Sequence, residues 1–332
     1  MQTIRNIVVR VAAVVALAAA GPLFAQSLQK VTFNMSWLPQ GSSIGIMVAQ
    51  DQGYYKEAGL DVNIVRGYGG NRTANELDQG QFEFAYVDPI SLALTRSNGG
   101  HVRLIGAVNT TWPAGICYVE KNGKQLTLND MKGMTMGGGS ASPVQNIVPT
   151  WLEMNGKPRD YVRMLRMDPA VVDASLVEGK IDLAECWKAS NLATIMKQSK
   201  AAGVKVGWIE YRDYGLNAYG SGIATTDERI TKDPELVRRF VQATYRGYQF
   251  AIDKPDAAVD IMVKMFPTVD RNVGLQQIHE IDQLIIDPQA RDKPLGYLRP
   301  DRMQSTAAFV DKAFDVKGKV KATDLHTDEF VK

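Results

Sequence analysis

The chain has few of the residues that enzymes use for nucleophilic or metal chemistry. Its 332 residues include only three histidines and two cysteines. His101, His279 and His326 are far apart, and none of them is spaced as a metal ligand pair. Neither cysteine lies in a nucleophile motif, and no Gly-x-Ser-x-Gly elbow occurs. We therefore expect no catalytic residues, no metal site and no cofactor.

The chain also lacks an excess of charge of one sign. Arg5 and Arg10 lie in an N-terminal segment that we expect to be removed, which leaves 36 of the 38 basic residues against 36 acidic residues. A net charge of zero, without a basic run, argues against nucleic acid as a partner. Beyond residue 25 no apolar run has the length of a membrane span.

The one long apolar run lies near the N-terminus and is typical of a secretory signal. A basic start precedes the apolar residues 11–20, and small residues ending at Ala25 offer a cleavage site. The run is too short for a comfortable membrane span, and no cysteine follows the site to carry a lipid. We expect residues 1–25 to be cleaved and the mature protein to be periplasmic.

The two cysteines are predicted to be free thiols. Export makes a disulfide chemically permissible. However, Cys117 and Cys186 both lie in predicted strands, where a buried free thiol is commoner than a bridge. We therefore expect the two thiols to be buried and unpaired.

A duplicated motif is the most informative feature of the sequence. Residues 77–85, Leu-Asp-Gln-Gly-Gln-Phe-Glu-Phe-Ala, are echoed at residues 176–184 by Leu-Val-Glu-Gly-Lys-Ile-Asp-Leu-Ala. In each copy a helix ends at glycine and an acidic-apolar strand follows. A further strand and helix precede each copy. Two strand–helix–strand units predict an α/β protein with two similar lobes, residues 26–112 plus 221–332 and residues 113–220, joined by a two-stranded hinge.

The candidate binding residues lie where predicted parallel strands end, because ligands of such lobes bind there, beside helix N-termini. Aromatic and hydroxyl side chains dominate this set, which also contains two carboxylates. Its members are Trp37, Ser42, Ser43, Tyr68, Asn71, Tyr86, Asp88, Trp112, Gly138, Gly139, Ser140, Ser142, Glu185, Trp187 and Tyr219. Such a set suits a small planar polar solute that stacks on rings and forms hydrogen bonds at its edge.

Several of these residues also have a purely structural interpretation. Asp88 precedes a proline and is suited to cap a helix. Trp37 could fill the top of a strand, and Glu185 is placed to pair with Lys188. The glycine-rich loop 137–142 brings backbone N–H groups near a ligand or simply makes a tight turn. No Gly-Lys-Ser/Thr follows it, so it is not a nucleotide P-loop.

The order of several short motifs carries a family resemblance that covers residues 28–320. The motifs are Trp37-Leu38-Pro39, residues 49–62, both Leu-x-x-Gly copies, Asp213-Tyr214-Gly215 and residues 234–240. Together they resemble the SsuA/THI5-like (NMT1-like) periplasmic solute-binding proteins of ABC importers. The resemblance implies a type II periplasmic-binding-protein fold that closes over one solute. It also implies an inner-membrane permease with its ATPase as partner, and we expect a monomer.

The resemblance leaves several solutes open. The pyrimidine-precursor branch is favoured, and there Asp88 and Glu185 would accept hydrogen bonds from an amino-pyrimidine. An alkanesulfonate or aromatic carboxylate is the alternative, and an anion would use the serines of the set together with Arg72. A pyrimidine-forming enzyme and a ligand-sensing domain are further alternatives on the same fold. Eukaryotic enzymes of the family carry a cysteine-rich cluster and an active-site histidine, which this chain does not match.

Overall fold

Ten strands form two five-stranded sheets in the computed structural model, which describes residues 27–331. The strands are β1 (Gln29–Asn34), β2 (Leu60–Val65), β3 (Phe84–Val87), β4 (Val102–Ala107), β5 (Ala114–Val119), β6 (Thr135–Gly139), β7 (Arg163–Met167), β8 (Leu183–Trp187), β9 (Val206–Glu210) and β10 (Gly222–Thr226). The expected signal peptide and its cleavage site lie outside the described residues.

Helices connect these strands and cover the sheets. They are α1 (Ile44–Asp51), α2 (Tyr54–Glu57), α3 (Gly70–Asp78), α4 (Pro89–Ser97), α5 (Val144–Met154), α6 (Pro169–Val177), α7 (Asn191–Ala201), α8 (Asp227–Lys232), α9 (Pro234–Asp253), α10 (Pro255–Met265), α11 (Arg271–Ile285), α12 (Pro300–Phe314) and α13 (Ala322–Leu325). Among residues 27–331, no helix combines the length and the apolar character that crossing a membrane requires.

The two sheets have the same strand plan. Their orders are β2-β1-β3-β10-β4 and β7-β6-β8-β5-β9. In each sheet the fourth strand, β10 or β5, runs antiparallel to both of its neighbours, whereas the first three strands are parallel. The strand that begins at the end of each copy of the duplicated motif, β3 or β8, occupies the third position. We call each sheet with its helices a lobe, the first built on β1 and the second on β6.

The chain crosses between the two sheets twice. Residues 108–113 lead from β4 to β5, and residues 211–221 lead from β9 back to β10. Backbone hydrogen bonds join the crossings: the Asn109 N–H donates to the Ser221 oxygen at 2.8 Å, and the Gly220 N–H donates to the Asn109 oxygen at 3.0 Å. The two crossings therefore form one hydrogen-bonded connection. The residue bounds given above for the two lobes stay a prediction.

Packing of α9 against α1 and the first sheet forms the core of the first lobe. The Phe240 ring on α9 stacks on Phe84 with ring centroids 3.9 Å apart and on Tyr55 at 5.2 Å. Gly247 lies directly against the backbone of Gly45, where a Cβ atom would collide with the carbonyl group. Glycine at both positions therefore allows the two helices to pack backbone against backbone, which fixes α1 and the residues before it.

Cys117 and Cys186 form a disulfide bond, so the prediction of free thiols is wrong. The cysteines lie on β5 and β8, which are antiparallel neighbours in the second sheet. Cys117 is paired with Ala184, and Cys186 with Gly115. This register makes the cysteines diagonal neighbours, with Cα atoms 5.7 Å apart, a usual separation for a disulfide. The sequence indicated both strands but not their pairing.

We predict that removal of this bridge destabilises the protein strongly. The bond links residues 69 positions apart, and a loop of that length lowers the entropy of the unfolded chain. The Cys117→Ala/Cys186→Ala variant should lose about 4 kcal/mol of unfolding free energy, as measured by urea unfolding. The reduced unaltered protein is the control and should show a similar loss. Equal stability of the variant and the oxidised protein would contradict the bridge.

Candidate functional site

A cavity between the lobes brings together residues from both sheets and both crossings. It contains about 500 Å³ of empty space, part of which is open to solvent. Seven residues of the predicted set lie in its wall: Trp37, Ser42, Tyr86, Asp88, Ser142, Glu185 and Trp187. The other wall residues are Ser36, Gln40, Gly70, Asn109, Pro143, Lys188, Ser190 and Ser221. The carboxyl ends of β1, β3 and β8 thus meet at one cavity.

Four residues of the predicted set lie away from this wall. Tyr68 is 42% exposed and lies beneath two arginine guanidinium groups, the nearer of them 4.3 Å from its ring centroid. Ser140 is exposed, whereas Ser43 is buried outside the wall. Tyr219 is buried on the second crossing, with the Arg302 guanidinium 5.5 Å from its ring. The structure gives these four side chains positions behind or outside the cavity.

Four further predicted residues support the wall without lining it. They are Asn71, Trp112, Gly138 and Gly139. The Trp112 side chain is buried and packs on Trp187 with ring centroids 5.2 Å apart. The Asn71 N–H donates to a carbonyl of the second lobe at 3.2 Å. These residues fix the position of wall residues or join the lobes.

Trp37 reaches across the cleft from the first lobe. Its ring lies against Gly139 of the second lobe, where a Cβ atom would be only 2.5 Å from the ring edge. Trp187 comes from the second lobe and also lines the cavity. Two tryptophans from opposite lobes therefore contribute apolar ring surface to one small cavity.

Glu185 is a buried carboxylate at the end of β8, and donors of the second lobe surround it. Its side chain accepts hydrogen bonds from the Gly139 N–H, from the Ser142 hydroxyl at 2.5 Å and from the Trp187 indole at 3.2 Å. Burial raises the pKa of Glu185, and these hydrogen bonds oppose the rise. Gly138 packs beside the same carboxylate. The backbone N–H of Gly139, at this glycine-rich strand end, therefore donates to a carboxylate of the protein itself rather than to an anion from solution.

Asp88 combines its predicted capping role with a place in the wall. It is the N-cap of α4, and its side chain accepts from the Ser91 N–H at 2.8 Å and from the Ser91 hydroxyl at 2.7 Å. Burial raises the pKa of Asp88 against these hydrogen bonds. Gly70 lies so close that any side chain there would collide with the carboxylate. Asp88 therefore caps α4 and lines the cavity at the same time.

Among the wall residues, Lys188 is the only cation. Its ammonium group is 2.5 Å from the Glu210 carboxylate, which balances the positive charge of Lys188. The alternative pairing of Glu185 with Lys188 is absent from the contacts of Glu185 described above. Arg72, expected beside an anion, has a side chain 55% exposed and pairs with Glu76 at 2.6 Å. Two buried acids thus face the cavity without an arginine.

A third acid, Asp173, is half-buried and lies behind Glu185. The Asn191 side chain donates to the Asp173 carboxylate at 2.8 Å and to the Glu185 carbonyl at 2.9 Å. The same side chain accepts from the Trp187 N–H at 2.9 Å. Burial, aided by repulsion from Glu185, raises the pKa of Asp173 to about 7. Asn191 therefore orients the strand end that carries both Glu185 and Trp187.

The loop after β8 docks directly into the first lobe. Ala189 is buried and adopts a left-handed backbone conformation, with φ of 56°. Its N–H donates to the Glu280 carboxylate on α11, and its carbonyl accepts from the Ser42 N–H at 3.0 Å. The next residue, Ser190, contacts the Gln40 and Gln277 side chains. These contacts hold the lobes together in a closed arrangement.

Comparisons with known proteins place this fold and cavity in a family. A family model described as NMT1/THI5 like matches residues 40–258. The chain belongs to the NMT1/THI5-like family. This confirms the family resemblance that the sequence motifs indicated.

The proteins that this chain resembles in sequence are named for different functions. The riboflavin-binding protein RibY of Chloroflexus aurantiacus is 25% identical, and the alignment covers 95% of this chain and 89% of RibY. The formylaminopyrimidine-binding protein of Halalkalibacterium halodurans is 23% identical, with coverage of 82% and 80%. The 4-amino-5-hydroxymethyl-2-methylpyrimidine phosphate synthase THI13 of Saccharomyces cerevisiae is 25% identical, with coverage of 76% and 75%. Family membership therefore does not fix the solute.

Solved structures confirm the expected fold. The alkanesulfonate-binding protein SsuA from Xanthomonas axonopodis pv. citri superposes with a TM-score of 0.68 at 12% identity, covering 93% of this chain and all of that one. The chain therefore has the type II periplasmic-binding-protein fold of two similar lobes and a two-stranded hinge.

We predict that Asp173 makes stability fall as the pH rises from about 4 to about 7. A raised pKa means that the folded protein holds this proton more tightly than the unfolded chain does, so ionisation costs the folded state. The unfolding free energy of the unaltered protein, relative to that of Asp173→Asn, should decrease across this range. Urea unfolding at several pH values measures the difference.

The control for this prediction is Asp160→Asn, which removes an exposed carboxylate. Its unfolding free energy should remain parallel to that of the unaltered protein at every pH. A constant difference between the unaltered protein and Asp173→Asn from pH 4 to pH 8 would show that Asp173 titrates normally.

Proposed function

We propose that this protein is the periplasmic solute-binding component of an ABC importer and that its solute is a thiamine pyrimidine precursor. The observation that carries the solute class is the composition of the wall. Trp37 and Trp187 come from opposite lobes, and two buried carboxylates lie in the same wall without an arginine. A planar ring with several N–H or O–H donors complements such a wall.

The two carboxylates retain capacity to bind a solute. A carboxylate has about four acceptor sites. Asp88 uses two of its acceptor sites on Ser91, and Glu185 uses three of its own. The exocyclic amine of an amino-pyrimidine supplies two donors, and its ring supplies a flat face for tryptophan. The favoured interpretation of the sequence is therefore the one that the cavity supports best.

A sulfonate or aromatic carboxylate fits the wall less well. An anion placed beside Asp88 and Glu185 would meet repulsion in a poorly solvated space. Of the residues expected to hold an anion, Arg72, Ser43 and Ser140 lie outside the wall, whereas Ser42 and Ser142 lie in it. Lys188 is already paired with an acid. These positions favour a neutral or cationic donor-rich solute.

Solute capture would proceed by closure of the lobes. A solute that touches both Trp37 and Trp187 gains contacts in the closed form that the open form does not offer, and that difference drives closure. We propose that the closed protein acts as a monomer and delivers its solute to an inner-membrane permease with its ATPase. A binding role without catalysis belongs to the same proposal. Recovery of the solute unchanged after incubation tests that point.

Thermal unfolding against a solute panel tests the proposed solute. The mature chain, residues 26–332, would be heated with hydroxymethylpyrimidine, formylaminopyrimidine, riboflavin, ethanesulfonate or phthalate. A ligand at one hundred times its dissociation constant adds about 2.7 kcal/mol of stability, which raises the midpoint by several degrees. We expect the pyrimidines to give this shift. A shift with riboflavin, ethanesulfonate or phthalate alone would overturn the proposed solute class.

Deletion in cells separates an importer from a sensor. If the protein delivers solute to a permease, a strain without it should lose uptake of the pyrimidine. Unchanged uptake would favour the ligand-sensing alternative.

A matched pair of tryptophan variants tests which rings bind solute. Trp37→Ala should weaken pyrimidine binding at least tenfold but change the unfolding free energy of the empty protein by less than about 1 kcal/mol. Trp112 is 1% exposed, so Trp112→Ala should cost about 3–5 kcal/mol of stability. Titration calorimetry and urea unfolding measure both quantities. A large stability loss in Trp37→Ala would show that Trp37 is a core residue.

A further inference from the structure

Asn109 lines the cavity and is not among the residues that the sequence pattern indicated. It lies two residues beyond the end of β4, on the first crossing, and is 2% exposed. Its backbone N–H and carbonyl are both bonded to the second crossing, at 2.8 and 3.0 Å. The next residue, Thr110, donates through its N–H and its hydroxyl to the Leu284 carbonyl at 2.9 and 2.8 Å. The Asn109 backbone is therefore rigidly held.

The side-chain amide of Asn109 has one satisfied end and one unsatisfied end. Its Nδ2 donates to the Tyr86 hydroxyl oxygen at 2.9 Å, and Tyr86 is itself a wall residue. Its Oδ1 is buried and has no hydrogen-bond partner among residues 27–331. A buried carbonyl oxygen without a donor costs stability. The bond to Tyr86 holds the amide so that the oxygen is the end left for another partner.

We propose that Asn109 is a specificity-determining residue whose Oδ1 accepts a hydrogen bond from an N–H or O–H group of the bound solute. This inference rests on the proposed function and deepens it, because it defines the chemistry that the solute presents to the hinge. Asn109 adds a third acceptor to the two wall carboxylates. The cavity therefore selects solutes with several donors, and it discriminates against analogues in which a donor is methylated or replaced.

A purely structural role would make a different prediction. If Asn109 served only to hold the Tyr86 ring, its loss would reduce stability and leave solute affinity unchanged. If its oxygen binds solute, affinity depends on an acceptor at this position and not on the N–H that contacts Tyr86. Variants that separate the acceptor from the donor distinguish these roles.

Titration calorimetry of the mature chain with hydroxymethylpyrimidine provides the binding test. Asn109→Leu removes the acceptor and should weaken binding at least tenfold. Asn109→Asp keeps an acceptor oxygen, to which the Tyr86 hydroxyl can also donate, and should stay within about threefold. The exposed Asn129→Leu is the control and should leave affinity unchanged. Unchanged affinity in Asn109→Leu, or an equal loss in Asn109→Asp, would overturn the proposal.

A second experiment, urea unfolding of the empty protein, needs no ligand. The Tyr86→Phe/Asn109→Leu variant removes the unsatisfied oxygen together with both ends of the Nδ2–Tyr86 hydrogen bond, so the urea midpoint of the empty protein should be unchanged or higher. A clearly lower midpoint would show a structural pair and overturn the proposal. If the unaltered protein does not bind hydroxymethylpyrimidine, the proposed solute class is wrong, and this stability measurement still tests whether Asn109 and Tyr86 form a structural pair.

Discussion

The backbone hydrogen bonds between the two crossings determine where the lobes can meet. Asn109 bonds to Ser221 and Gly220, so the chain leaving the first sheet and the chain returning to it run side by side. The side chain of Arg302 on α12 donates to the Thr110 carbonyl and pairs with Asp287 at 2.9 Å. These contacts hold the two crossings side by side between the lobes. The strand ends of both sheets therefore face each other across one cavity.

Closure of that cavity depends on protein contacts as well as on solute. The Ala189 backbone bonds to the first lobe through both its N–H and its carbonyl, and the Ala189 side chain is buried there. A left-handed conformation at a non-glycine residue costs about 1–2 kcal/mol. That cost offsets part of the stability that the docking contacts give to the closed form. In the proposed function, a solute shifts closure only by its difference in affinity between the open and closed forms.

Local patterns in the sequence were sufficient for the lobes and for part of the site. The repeated motif predicted β3 and β8, and polar residues at strand ends predicted Asp88 and Glu185 in the cavity wall. The cysteine pair was not predictable, because it depends on the register between β5 and β8, which are far apart in sequence. Tyr68 lies outside this wall, because a loop residue at a strand end is free to turn outward. Asn109 follows the same pattern, because it is a polar residue just after β4. However, no local sequence feature shows that the crossing brings it to the cavity.

The two buried acids explain how a mostly uncharged cavity can select strongly. Removing a carboxylate from water is costly, and here internal donors offset that cost during folding: Ser91 for Asp88, and Gly139 with Ser142 for Glu185. The acids therefore remain in place before any solute arrives, with acceptor sites to spare. A solute that supplies donors occupies the remaining acceptor sites of the two carboxylates. A solute that supplies acceptors leaves its own groups unpaired in a confined space. In a buried polar site, the penalty for leaving groups of the wrong solute unpaired is larger than the gain from pairing groups of the right one. Discrimination then comes mainly from that penalty.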